Sequence, residues 1–232
     1  MTTLITGGTV VSATGRVAAD VLLDGEAIVA LVAPGSTALG SDLGTTADTV
    51  IDATGKYVIP GGVDCHTHME MLFGGTSASD TFETGTRGAA WGGTTTIVDF
   101  AIQRTGERVQ NGLAAWHAKA AGHYAIDYGF HQILGGVDDD ALRAMDELVD
   151  EGIIAPGADA DIVVYDPQGH TSIGLEKTHH MNVDYSAWEG FEIDGHVDTV
   201  LSRGRVVVSE GEFRGAAGHG RFVKRGRSQY LH

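Results

Sequence analysis

His66 and His68 stand two residues apart, and Asp64 stands two residues before them. In an extended segment side chains alternate between faces, so these three are expected to leave the chain on one side. Paired imidazoles beside a carboxylate suit a first-row divalent ion such as zinc. Histidines in a solvated turn match the same spacing, so the motif alone leaves both readings open. Cys65, between the histidines, points the other way in an extended segment and reads as a packed thiol. It is the lone cysteine and forms no internal disulfide, which fits a reducing compartment. Asp99 ends a later apolar run, residues 93–100, and is expected to face the mouth of the same site or to make a structural hydrogen bond.

The elements that must position these groups change texture along the chain. Residues 1–56 hold short β-branched runs punctuated by glycine turns, the pattern of a small all-β unit. Beyond Tyr57, strand-like and helix-like segments alternate. Residues 58–64 lead into the histidines, 81–91 and 109–121 are helical, and 93–100 and 125–134 read as buried strands. Asp140 can cap a third helix whose stripe is Leu142, Met145, Leu148 and Val149. Such alternation predicts a parallel sheet with crossover helices, and in a β/α barrel chemistry sits at the C-terminal ends of the strands, where His66 and His68 fall. After Gly152 strand texture returns, with residues 161–166 as one strand and a hairpin turned at Arg203-Gly204. Residues 215–232 form a glycine-rich, locally basic tail that can lie on the protein's own acidic surface.

Composition narrows the function classes. The 232 residues are 42% hydrophobic, enough for a real core, and carry a formal charge of −16, which repels phosphate backbones and makes nucleic acid an unsuitable partner. No apolar run reaches the roughly 20 residues of a membrane helix, and no basic-then-apolar leader opens the chain. A cytoplasmic protein with no membrane or nucleic-acid partner is the expectation.

Three stretches carry a resemblance to a known family. They are Val58-Ile59-Pro60-Gly61-Gly62-Val63-Asp64-Cys65-His66-Thr67-His68, then Phe73-Gly74-Gly75-Thr76, then Gly92-Gly93-Thr94-Thr95-Thr96-Ile97-Val98-Asp99-Phe100. They resemble the dihydropyrimidinase and D-hydantoinase branch of the amidohydrolase superfamily. So do Lys177-Thr178-His179-His180-Met181-Asn182-Val183-Asp184-Tyr185 and Gly218-His219-Gly220-Arg221-Phe222-Val223-Lys224-Arg225 near the C-terminus. The resemblance implies a metal-dependent hydrolase that opens small cyclic amides such as dihydrouracil and hydantoins, and a homo-oligomer. It implies a β/α barrel with two bridged divalent ions, usually zinc, and a β-sandwich built from both chain ends. His66 and His68 match the first two metal ligands. Met71, Leu72 and Phe73 match a hydrophobic loop that gates the substrate pocket, although such an apolar cluster can equally be core.

The chain also departs from that family. Its remaining ligands are a carboxylated lysine on the fourth barrel strand, two later histidines and an aspartate. The lysines here are Lys56, Lys119, Lys177 and Lys224, and none falls on such a strand. His131 is expected to be a hydrogen-bonded core residue, His117 and His123 to face outward or a turn, His179 and His180 to support architecture, and His170, His196 and His219 to lie in loops. A complete barrel takes eight units and about 250 residues. The fold expected is therefore α/β plus all-β, with residues 1–56 and 153–214 as a composite β-sandwich and 57–152 as an incomplete TIM-like barrel of about three strand–helix units. Its open sheet would expose Phe130 and Ile133. The chain then reads as a cyclic amide hydrolase lacking the centre of its barrel, or as an inactive remnant or oligomer-forming module.

Overall fold

The computed structural model describes residues 1–35, 47–73, 75–136, 159–176 and 182–223. Strands β1 (Thr2–Thr6), β2 (Thr9–Ser12), β3 (Gly15–Ala18), β4 (Asp20–Asp24), β5 (Ala27–Val32) and β6 (Thr49–Asp52) come first. Next are β7 (Tyr57–Pro60), β8 (Gly62–Thr67), the short pair β9 (Leu72–Phe73) and β10 (Thr76–Ser77), helix α1 (Phe82–Trp91), β11 (Thr94–Ile102), α2 (Val109–Ala120) and β12 (Asp127–Ile133). Strands β13 (Ile162–Ser172), β14 (Glu192–Ser202), β15 (Arg205–Ser209) and β16 (Glu212–Phe213) complete the order. Among the described residues the protein is mostly sheet, with two helices and no closed barrel. No helix there is long and apolar enough to cross a membrane.

Two of the sheets share a core. One has the order β5-β4-β1-β6, and the other β16-β15-β14-β13-β7-β2-β3, so it draws strands from both ends of the chain. Ile5, Val21, Leu23 and Ile28 of the smaller sheet pack with Val10, Val58, Ile162, Val164 and Leu201 of the larger. Side chains alternate across a strand, so Val163 and Val200 leave the opposite face. There they meet Phe82, Ile97, Tyr124, Ile126 and Phe130, which belong to a parallel sheet of order β12-β11-β8 and the chain around it. The large sheet is therefore the middle layer. The unbroken apolar run Ile162-Val163-Val164 reflects burial on both of its faces.

Gly61 moves the chain between layers. Its amide donates to the Asp161 carbonyl of the middle layer, and the next amide, of Gly62, donates to the Gly93 carbonyl beside β11, each at 2.9 Å. A Cβ at Gly61 would drive into the Thr95 side chain, so only glycine permits the crossing here. The expected single extension from residue 58 to 64 is thus two strands. Strand β7, at the start of the segment read as barrel, pairs with β13 and β2 instead.

Helices α1 and α2 occupy the expected segments, and Thr81 and Thr84 form a reciprocal cap at the start of α1. The third expected helix and the junction after Gly152 lie outside the described residues. Phe130 corrects the exposure expected of it: it is 4% exposed, because Phe222 and His117 from elsewhere in the chain cover its ring. His117 accordingly faces this aromatic cluster rather than outward. His170 and His196 sit in β13 and β14 rather than in loops.

Candidate functional site

Strand β8 runs along one edge of the three-stranded sheet, and residues 62–66 are exposed on it. Asp64 registers beside Ile97, whereas Thr67 registers beside Asp99, so β8 carries one extra residue between these pairs. Such a bulge breaks the alternation of faces. It puts Asp64 in register with Ile97, whose side chain packs with Phe82 and Ala90 of α1, away from the imidazoles. Asp64 therefore does not join the two imidazoles in a metal-holding group, contrary to the spacing argument; its Oδ1 instead accepts the His66 amide at 3.1 Å. Cys65 is exposed rather than packed, because an edge strand has neighbours on one side only.

The two histidines do come together. Their Nε2 atoms are 3.1 Å apart, with the rings edge to face. Two ring nitrogens at that distance need a proton or a cation between them, because their lone pairs repel. Phe100 lies beneath both, its ring centre 4.7 Å from His66 and 4.9 Å from His68. His131, opposite Phe100 in the β11–β12 register, also packs on that ring at 4.9 Å. Its Nε2–H donates to the Cys65 carbonyl at 2.9 Å, so it is hydrogen-bonded as expected but half-buried rather than core. Phe100 as the common floor and His131 as the tether of β8 were not singled out from sequence. The signal was their position on adjacent parallel strands, which the register alone discloses. Among the described residues no group of three His, Cys, Asp or Glu side chains is placed to hold a metal ion.

Met71 leads into the β9–β10 hairpin, which Leu72 opens, and Leu72 is 65% exposed, which removes it from the core. A cleft of about 470 Å³ lies between β8 and α1, bordered by Asp64, His68, Met69, Asp80 and Gly88. Lys119 pairs with Glu70 at 3.4 Å and lies over the Phe82 and Trp116 rings, and Lys56 pairs with Asp198 at 2.8 Å. Lys177, Lys224, His179 and His180 lie outside the described residues.

Asp99 does not face the mouth. It is buried on the helix side, where it accepts the Met69 and Phe100 amides and the Tyr124 hydroxyl. The Met69 amide directly follows His68, so Asp99 fixes the turn beyond the pair. Burial pushes its carboxyl up to about 6, against the hydrogen bonds that favour the charged form. Asp161, which accepts the Arg203 amide at 2.7 Å, is pushed up to about 6 chiefly by burial as well. A carboxyl raised on folding keeps its proton in the folded chain after the unfolded chain has released it. Stability from these groups therefore falls as pH rises from 3.8 to about 6 and stays lower above. Asp99→Asn and Asp161→Asn, which preserve the acceptor oxygen, should gain stability relative to the parent across that window and hold a constant offset above it. Urea titrations at stepped pH check this, and a parallel pH dependence in parent and variants would refute it.

No protein-family model matches the chain. It is 49% identical over 211 residues to a D-hydantoinase of Streptomyces coelicolor, covering 87% of this chain and 44% of that protein. To a D-hydantoinase of Geobacillus stearothermophilus it is 45% identical over 152 residues, or 65% of this chain and 30% of the other. To an Arabidopsis thaliana dihydropyrimidinase it is 43% identical over 148 residues, 64% and 26% of the two chains. The chain thus spans less than half the length of these curated relatives. Its fold matches the crystal structure of a Brevibacillus agri dihydropyrimidinase with a TM-score of 0.87 at 24% identity, over 98% of this chain and 99% of that one. A Bacillus sp. AR9 D-hydantoinase gives 0.86 at 23% identity, over 98% and 100%.

Proposed function

We propose that the chain belongs to the D-hydantoinase and dihydropyrimidinase family, as its 43–49% identity to the relatives above supports, and that it carries part of a metal-dependent cyclic amide hydrolase and is an incomplete catalyst by itself. The observation that carries this reading is the 3.1 Å separation of the His66 and His68 Nε2 atoms. Nitrogens bound about 2.0–2.1 Å from a tetrahedral zinc stand roughly 3.3 Å apart, so the pair is set for one ion. His66 and His68 would hold that ion, and in the family metals supply a hydroxide and polarise the ring carbonyl. The described residues fit half of one such shell and offer no bridge to a second ion.

On this reading residues 57–152 are three strand–helix units of a TIM-like barrel, residues 1–56 and 153–214 its companion sandwich, and 215–232 a tail. Strand β7 then belongs to both descriptions, opening the barrel segment while pairing in the middle layer. Met71, Leu72 and Phe73 gate the pocket, which the exposure of Leu72 favours over a core role. A small cyclic amide is the substrate class, and zinc the metal best suited to imidazole donors.

Calorimetric titration of the chain with zinc tests the site. One weakly bound ion is expected, with affinity falling about tenfold or more in His66→Ala and in His68→Ala. Both side chains are exposed, so neither change opens a buried cavity. Equal zinc affinity in the parent and both variants would overturn the assignment.

A further inference from the structure

We propose that residues 218–223 form a latch that holds the histidine-bearing sheet against the sandwich, docked on the outer edge of β12. Every attachment of this segment is specific. The Tyr128 amide donates to the Arg221 carbonyl at 3.0 Å, and the Val223 amide donates to the Tyr128 carbonyl at 2.8 Å. That is a one-residue parallel bridge between Phe222 and Tyr128. It extends the sheet order on the side of β12 away from β11, where a further parallel strand would pair. Upstream, the Gly218 and Gly220 amides both donate to the Tyr124 carbonyl, at 2.9 and 3.0 Å. A Cβ on Gly220 would collide with the Ile126 carbonyl oxygen, so the backbone approach requires glycine.

Phe222 is the anchor. Its ring lies 4.4 Å from His117, 5.8 Å from Phe130 and 5.9 Å from Tyr128, joining α2 to β12. Arg221 reaches the other layer. Its amide donates to Asp127, the first residue of β12, at 2.8 Å, and its guanidinium to Glu26, between β4 and β5, at 2.7 Å. One short segment therefore grips both layers. At the far end of β12, His131 tethers Cys65 between the two histidines, so order in β12 is passed to β8.

The test is hydrogen exchange on the full chain carrying Phe222→Ala, with Gly220→Ala as an independent variant that leaves the anchor ring in place. Exchange over β12 should speed up about tenfold or more in both, while the buried stretches of the middle layer, residues 162–164 of β13 and 199–202 of β14, keep the parent's protection. Unchanged protection of β12 in both variants would overturn the latch. So would equal loss across β12, β13 and β14, because the segment would then be an ordinary part of one cooperative core.

Discussion

Supplied with zinc or manganese and with bicarbonate, the purified chain is expected to open neither dihydrouracil nor hydantoin at a measurable rate. His66 and His68 supply half of one tetrahedral shell, and the described residues bring no third His, Cys, Asp or Glu to them. Bicarbonate matters because the family resemblance implies a carboxylated lysine. Of the lysines described here, Lys56 is engaged with Asp198, and Lys119 lies over the Phe82 and Trp116 rings on the helix side. A fully formed zinc site lowers the pKa of its bound water far below that of bulk water, to about 7, so an unformed one leaves hydroxide scarce at neutral pH. The exposed edge strand also leaves the imidazole pair open to bulk water, which screens whatever charge an ion would bring. Chromatographic detection of the ring-opened ureido acid settles the matter. Ring opening that vanishes in His66→Ala would show that the shell is completed by other means and would overturn the reading of an incomplete catalyst.

Arg203→Ala should destabilise the fold by about 3–5 kcal/mol, the cost of stranding a buried carboxylate. The Arg203 side chain is 8% exposed and that of Asp127 6%, and Arg203 Nε lies 3.1 Å from both Asp127 oxygens. The rest of the guanidinium donates to Glu26 Oε1 at 2.9 Å and to the His219 carbonyl. Desolvation would raise the Glu26 carboxyl, but hydrogen bonds and charge from Arg221 and Arg203 hold it below the usual carboxylate range. Arg203 thus joins the β14–β15 turn, the β4–β5 turn, the start of β12 and the chain at His219. It does so from a left-handed backbone, φ 47°, which costs a non-glycine residue roughly 1–2 kcal/mol. Alanine keeps the Cβ and that cost, so the comparison reports the side chain beyond Cβ and not the backbone strain. Chemical denaturation measures the difference. A loss below about 1 kcal/mol would show that the Arg221 amide alone satisfies Asp127.

Much of this architecture was legible along the chain because local physics sets it. The β-branched runs around Ile5, Val21 and Ile28 became strands with the expected turns, and Thr81 began its helix, because strand fit and capping depend on near neighbours. The Arg203-Gly204 hairpin formed where a two-residue turn with positive φ was spelled out. The spacing of His66 and His68 was likewise enough to bring their nitrogens together, since both lie on one short segment.

Tertiary structure decided what depends on register and on distant strands. The bulge in β8 kept Asp64 from joining the histidines in a metal-holding group, and a period-2 argument has no means of counting an inserted residue. Asp99 turned inward to the Met69 and Phe100 amides and Tyr124, because the helix-side face of β11, not its nearness to a strand end, sets that side chain's direction. Cys65 became exposed because β8 is an edge, a fact of sheet order and not of composition. Phe130 became buried because Phe222, ninety-two positions later, packs on it. The sequence by itself determined the strands, the caps and the paired imidazoles through short-range chemistry. Which faces those elements turn to one another, and which edges are left for another segment to cover, was decided only when strands far apart in the chain were paired, because burial is a property of the assembled layers.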